Sequence, residues 1–260
     1  MSDETVLSVD GLTKEFGGLT AVDDVSFGIN PNETKALIGP NGAGKTTLIN
    51  CINGSYDATA GSIQLNNEDI TNISAHNRVR KGLGRTYQVT NVFEDSTVFE
   101  NVRLAAQAAY GQNFNPLIHY STVTESTTKA AEVLERVDLI ERGEILAGQL
   151  SHGERRQLEI AMALALDPEV LLLDEPAAGM GSDELPRVRD LIESIGDEYA
   201  ILLVEHNMEL VMDLADSIIV LDRGSKIADG PPETVRHDDD VLDAYLGTSV
   251  DFTETANSSD

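Results

Sequence analysis

Three apolar runs without alternation stand in the second half of the chain: Val170-Leu-Leu-Leu173, Ala200-Ile-Leu-Leu-Val204 and Ser217-Ile-Ile-Val-Leu221. That pattern suits strands covered on both faces, as in a parallel sheet. Helical segments separate them, and strands alternating with helices predict an α/β core. Lys35-Ala-Leu-Ile38 is a further short run of this kind, and the last long run turns at Arg223-Gly224 into Lys226-Ile-Ala228. Nearer the N-terminus, Val6–Val9 and Ala21–Ile29 read as strands, with Gly11–Gly18 turning the chain between them. Ser62–Leu65 alternates and closes at Asn66-Asn67, a hairpin signal. These stretches predict a small antiparallel sheet.

Between the two strand-bearing parts the pattern becomes helical. Ser74–Lys81 predicts a short helix, and Leu83–Gln88 a strand that ends on Gln88. Thr97-Val-Phe-Glu100 is a capping box, which starts a helix running to about Ala109. Residues 110–128 are polar and interrupted by Gly111 and Pro116, so they predict a loop or insertion; a helix over Lys129–Val137 follows. The span 89–167 is expected to be a mostly helical subdomain. The polar end of the chain, 248–260, is expected to be disordered.

Gly39–Thr47 adds chemistry to this pattern. It reads GPNGAGKTT and matches G-x-x-x-x-G-K-[ST] at Gly39, Gly44, Lys45 and Thr46, between a predicted strand and a predicted helix. That context makes it a candidate phosphate-binding loop. Its glycines let backbone N–H groups converge on phosphate oxygens, and the helix N-terminus adds positive potential there. Pro40, Asn41, Gly42, Ala43 and Thr47 complete the loop. Lys45 is suited to the β- and γ-phosphates, and the Thr46 hydroxyl to Mg2+. Asp174 and Glu175 follow the first long apolar run, at the strand end where open α/β sheets bind ligands. One carboxylate there suits Mg2+ through water, and its neighbour suits a reacting water. Ser151 and Glu154, in Leu150-Ser-His-Gly-Glu154, form an S-x-x-E capping box before a helix over Arg155–Leu166. Capping by itself accounts for both residues; the same turn also offers N–H groups and a hydroxyl to an anion.

The chain has 260 residues, with 45 Asp and Glu against 18 Lys and Arg, a formal charge of −27. Such a charge disfavours nucleic-acid partners. The acids are dispersed along the chain, which predicts a halophilic protein adapted to a salty cytoplasm, where counterions screen over a few ångströms. Cys51 is the one cysteine, so no internal disulfide can form; its place in the helix after the phosphate loop predicts a small core residue. No apolar run approaches the ~18–20 residues of a membrane span, and the N-terminus lacks the pattern of a signal peptide. The expectation is a soluble intracellular protein.

Taken in order, the phosphate loop, Gln88, LSHGE, LLLDEP and His206 after a later strand resemble the ATP-binding subunit of an ABC transporter. The resemblance covers about Val6–Gly247. It implies a P-loop NTPase core with a mostly parallel sheet, an antiparallel β subdomain and a helical subdomain, forming one ATP-binding domain over 6–247. It implies that Phe16 stacks on adenine, that Gln88 touches Mg2+ and the attacking water, that Glu175 is the general base, and that His206 lies near the γ-phosphate. It implies that Ser151, Gly153 and Glu154 meet the ATP bound to a second subunit, so that two ATPs are sandwiched in a homo- or heterodimer. The chain departs from the usual L-S-G-G-Q at His152 and Glu154, and carries Gly181 where many relatives place aspartate. Gly84-Arg-Thr-Tyr-Gln88, Thr97-Val-Phe-Glu-Asn101, Val204-Glu-His-Asn-Met208 and Asp243-Ala-Tyr-Leu-Gly247 narrow the resemblance to the ATPases of branched-chain amino acid importers. That subgroup implies permease partners, an extracytoplasmic substrate-binding protein acting indirectly, no nucleic acid, and a peripheral place on the cytoplasmic face of the membrane. Relatives serving urea, amides or lipid are the alternative for cargo. Non-transport members, and kinases or GTPases with the same phosphate loop, are the alternative classes. The first carry a long coiled coil or two cassettes, and the second lack LSHGE.

Overall fold

The computed structural model describes residues 5–86, 92–109, 116–181 and 183–245. They cluster into two compact units, Met1–Arg78 with Ile192–Asp260, and Val79–Leu191.

The first unit opens with β1 (Leu7–Phe16) and β2 (Leu19–Ile29), followed by β3 (Thr34–Ile38), α1 (Lys45–Ile52), β4 (Ala60–Leu65) and β5 (Glu68–Asp69). One sheet has the order β2-β1-β4-β5 and is antiparallel throughout. Of the stretch Gly11–Gly18 expected to turn the chain, only the last two residues do so, and Gly11–Phe16 belongs to β1. The strand continues through Gly11, with the β1–β2 register shifting between Val9 and Leu12. Gly11 takes φ +57 and its N–H donates to Ser26 Oγ at 2.8 Å, so the glycine is absorbed as a bulge. The turn itself is confined to Gly17-Gly18, at the end of the expected stretch. Asn66 and Asn67 take φ 50 and 62, the left-handed pair a two-residue hairpin needs.

The second sheet of this unit is built on β3, every residue of which is buried. On one side β3 pairs in parallel with β8 (Ala200–Val204), and on the other with β9 (Ser217–Asp222). Burial on both faces explains why these strands read as unbroken apolar runs. β10 (Ser225–Gly230) turns back antiparallel to β9 through Arg223 and Gly224, at φ 47 and 88. Ala36, Ile38, Ile218 and Val220 pack with Val211 of α7 (Met208–Leu214), Val235 of α8 (Pro232–Val235) and Val241 and Tyr245 of α9 (Asp239–Tyr245). Each large aliphatic so buried contributes about 1.5–3 kcal/mol. Cys51 is fully buried in α1, and burial raises its thiol pKa.

The second unit begins inside α2 (Ala75–Arg80) and holds β6 (Leu83–Arg85), α3 (Val98–Ala109), α4 (Pro116–Arg136), α5 (His152–Leu164) and β7 (Val170–Asp174); α6 (Leu185–Gly196) runs across the boundary. β6 and β7 pair in parallel, Arg85 opposite Leu172. The three long helices pack on one another. Two expectations need correction. Residues 116–128 are not a loop: α4 begins at Pro116 and runs 21 residues. Proline fits a first helical turn, whose N–H groups have no intrahelical acceptor, so here it starts a helix instead of breaking one. The capping box at Thr97 is half made. Glu100 N–H donates to Thr97 Oγ1 at 3.1 Å, but the Glu100 carboxylate is engaged by Arg103 at 2.6 and 2.7 Å. Gln88, residues 110–115 and the 248–260 tail lie outside the described residues.

Candidate functional site

In the first unit, β3 delivers the chain into Gly39–Gly44, and α1 begins at Lys45. A Cβ on Gly39 would stand 2.1 Å from the Leu221 carbonyl, and one on Gly44 2.5 Å from the Ala21 carbonyl. Only glycine fits either position, so the loop is pressed against a strand of each sheet, β9 at Gly39 and β2 at Gly44. On Gly42, at φ +83, an added Cβ would meet open space, so the requirement there is conformational. α1 has no side-chain N-cap, its cap residue being Gly44. Its first-turn amides are therefore satisfied by no capping side chain, the arrangement that receives an anion. Lys45 Nζ donates to the Gly39 and Pro40 carbonyls at 2.5 and 3.2 Å, which holds the one cationic side chain of the loop over its mouth. Thr46 is exposed.

His206 shares this sheet edge. Leu37 of β3 pairs with Val204 of β8, so Gly39 and His206 each lie two residues beyond a paired position on adjacent parallel strands. The His206 side chain is 63% exposed and its backbone N–H donates to Glu205 Oε2 at 3.1 Å. Glu205 is buried, and the sequence had not singled it out. Phe16, the last residue of β1, is 43% exposed, which excludes a core role. Tyr56 meets it edge-on at 5.4 Å, and Lys14 Nζ stands 4.9 Å from its centroid. A second unheralded contact comes from the far end of the chain. Burial pushes the Tyr245 hydroxyl pKa up, against a hydrogen bond from the Gly39 backbone.

In the second unit, Asp174 closes β7, is 2% exposed, and accepts from Arg85 Nη2 at 2.9 Å. Glu175 follows with φ 49, a left-handed backbone uncommon outside glycine. Ser151 caps α5, and here the box is complete: Glu154 N–H donates to Ser151 Oγ and Ser151 N–H to Glu154 Oε2, at 3.2 and 2.9 Å. Burial raises the Glu154 pKa, but the Ser151 N–H and Arg142 outweigh it and leave the carboxyl below its usual range. Gly153 N–H donates to Glu184 Oε1 at 3.1 Å. Within one subunit the helix start is thus already provided with acceptors. Gly39–Thr47, Phe16 and His206 belong to the first unit, and Asp174, Glu175, Ser151, Gly153 and Glu154 to the second.

Residues 22–178, more than half of the chain, match the family model described as ABC transporter. The chain belongs to the ABC transporter ATPase family. Residues 225–251 match a second model, branched-chain amino acid ATP-binding cassette transporter. The chain is 41% identical over 250 residues to the high-affinity branched-chain amino acid transport ATP-binding protein BraF of Pseudomonas aeruginosa, covering 93% of this chain and 98% of that protein. It is 39% identical over 251 residues to the corresponding protein LivG of Escherichia coli, covering 94% and 98%. A crystal structure of the ADP conformation of an ABC transporter's ATP-binding cassette superposes with a TM-score of 0.82 at 30% identity, over 94% of this chain and 99% of that one. This ABC ATPase therefore has the α/β P-loop fold its sequence predicted, binds ATP, and couples ATP hydrolysis to transport across a membrane. No helix among the described residues is long and apolar enough to cross a membrane itself.

Proposed function

We propose that this ABC ATPase powers a branched-chain amino acid importer, working as a dimer under two transmembrane permease subunits on the cytoplasmic face of the membrane. An extracytoplasmic substrate-binding protein delivers the cargo to the permeases and does not touch this chain. One ATP-binding domain spans 6–247. Gly39–Thr47 wraps the phosphates, Lys45 turns from the Gly39 and Pro40 carbonyls to the β- and γ-phosphates, and the base stacks on Phe16. The observation that carries this reading is the α1 N-terminus, which has no side-chain cap behind a loop of obligate glycines.

Thr46, Gln88 and Asp174, the last through water, are the residues that would hold Mg2+. A single carboxylate and a hydroxyl fit that ion, which keeps several waters and shares phosphate oxygens. When bound, Mg2+ supplies charge neutralisation on the phosphates. Arg85 fixes the Asp174 carboxylate on one side. Glu175 orients the attacking water and accepts its proton; His206 and Gln88 position the γ-phosphate and that water. Ser151, Gly153 and Glu154 meet the ATP of the partner subunit once Glu184 yields the Gly153 amide.

Cargo is tested by uptake. A strain lacking this chain should lose high-affinity uptake of labelled leucine and isoleucine and recover it on complementation. Intact leucine uptake together with lost urea or amide uptake would overturn the cargo.

A further inference from the structure

Two side chains of α5 reach the loop that carries Glu175. Arg156 is 7% exposed. Its Nη2 donates to the Glu175 carbonyl at 2.8 Å, its Nε to the Pro176 carbonyl at 3.2 Å, and its Nη1 to the Glu159 carboxylate. Glu159 is itself enclosed; burial raises its pKa, with Arg156 acting in the opposite direction. His152, the first residue of α5 and a departure from L-S-G-G-Q, hydrogen-bonds the Ala178 carbonyl through Nε2 at 2.9 Å. Ala178 N–H in turn donates to the Glu175 carbonyl at 3.1 Å. Gly179 follows at φ +75, where an added Cβ would stand 3.3 Å from His152 Nε2. One helix, α5, thus holds three carbonyls of a loop whose first residue, Glu175, sits in a left-handed conformation. A non-glycine residue keeps such a backbone when its surroundings over-determine it.

We propose that Arg156 and His152 are positioning residues that clamp the Glu175 loop to the LSHGE helix. The general base of one ATP site and the turn that completes the other then move as one body. The inference rests on the roles given above to Glu175 and Ser151 and adds the link between them. Neither side chain is assigned a contact with nucleotide. Arg156 acts through the carbonyls of Glu175 and Pro176, which a planar fork can span and an ammonium cannot. His152 acts through Ala178, so glycine at 152 leaves Ser151, Gly153 and the capping box in place while removing the bridge.

The test compares Arg156→Lys, His152→Gly and the double variant with the wild-type chain, measuring kcat, KM for ATP, calorimetric ATP affinity and melting temperature. Misplacing a reacting group by about 1 Å can cost ~100-fold in rate. Arg156→Lys should therefore lower kcat by about 10–100-fold, and His152→Gly by about 3–10-fold on the same scale. KM and ATP affinity should stay within about twofold, because binding uses the other unit's loop. Since both act on one loop, the double variant should lose less than the product of the single losses. Normal kcat in either folded variant, equal losses in binding and turnover, or multiplicative effects would overturn the clamp. Glu175→Gln in parallel separates the layers. If it turns over normally, the underlying assignment fails. If it is inactive while the two variants match wild type, the clamp alone fails.

Discussion

Arg78 is a guanidinium at 2% exposure, fixed at the C-terminal end of the helix that follows the phosphate loop. It donates to the Cys51 and Ile52 carbonyls at 2.6 Å each, to Thr71 O at 2.7 Å and to Ile73 O at 2.9 Å. Two of these acceptors lie in the last turn of α1, where carbonyls have no intrahelical partner and a positive charge suits the helix dipole. Burial lowers the Arg78 pKa, with Cys51, Asp57 and Asp69 opposing it. Arg78→Ala removes all four donors together. Hydrogen bonds to a charged group contribute about 1.5–3 kcal/mol each, but four bonds to one group are not independent. A buried acceptor left without its donor costs about 1–3 kcal/mol, so for four carbonyls served by one group about 4 kcal/mol is the expected loss, against a total stability of about 5–15 kcal/mol. With a urea m-value near 3 kcal/mol/M, the unfolding midpoint should fall by about 1.3 M at constant KCl. Arg78→Lys, which can satisfy only part of the cluster, should lose about half as much. Equilibrium unfolding followed by far-UV circular dichroism measures both. A midpoint shift for Arg78→Ala below about 0.3 M, or under ~1 kcal/mol, would refute this account of the cluster.

Three further outcomes follow from the same structure. Lys45→Ala should abolish measurable MgATP binding in titration calorimetry, because the loop loses its one cationic side chain; unchanged affinity would remove Gly39–Thr47 from the site. Lowering KCl from molar to millimolar should depress the melting temperature, since screening lengthens from about 3 Å at 1 M to ~30 Å at 0.01 M around a chain of charge −27; a flat profile would contradict halophilic adaptation. Ser151→Arg should bind ATP as a monomer yet fail to dimerise or hydrolyse, and when mixed with Lys45→Ala should regain part of the activity through the one site that carries neither lesion; normal hydrolysis by Ser151→Arg alone would refute a site shared between subunits.

What could be read from the sequence were features whose cause is local. The unbroken runs of β7, β8 and β9 follow from burial on both faces, and the Asn66-Asn67 hairpin from two left-handed residues. The positive φ of Gly42 and the capping box at Ser151 are likewise local in origin. Where one residue type serves two ends, the pattern misled. Gly11–Gly18 read as a turn, but its first glycine is a bulge stitched to Ser26 and only Gly17-Gly18 turns; Pro116 read as a breaker but heads a helix. Contacts between distant segments leave no periodic trace. Arg156 meets residues 19 and 20 positions away, His152 one 26 away, and Tyr245 reaches Gly39 from the far end of the chain. Each looks like an ordinary helix residue in isolation, and the departure at His152 had no visible partner until the loop at Ala178 was in place.

The central claim is that this protein hydrolyses ATP with Glu175 as the base. Turnover by Glu175→Gln, measured beside ATP affinity, tests it most directly. The account predicts retained ATP binding, a turnover lower by about 10²–10⁴-fold, the usual contribution of a general base, and an ATP-trapped dimer on size exclusion. Wild-type turnover in Glu175→Gln would contradict it.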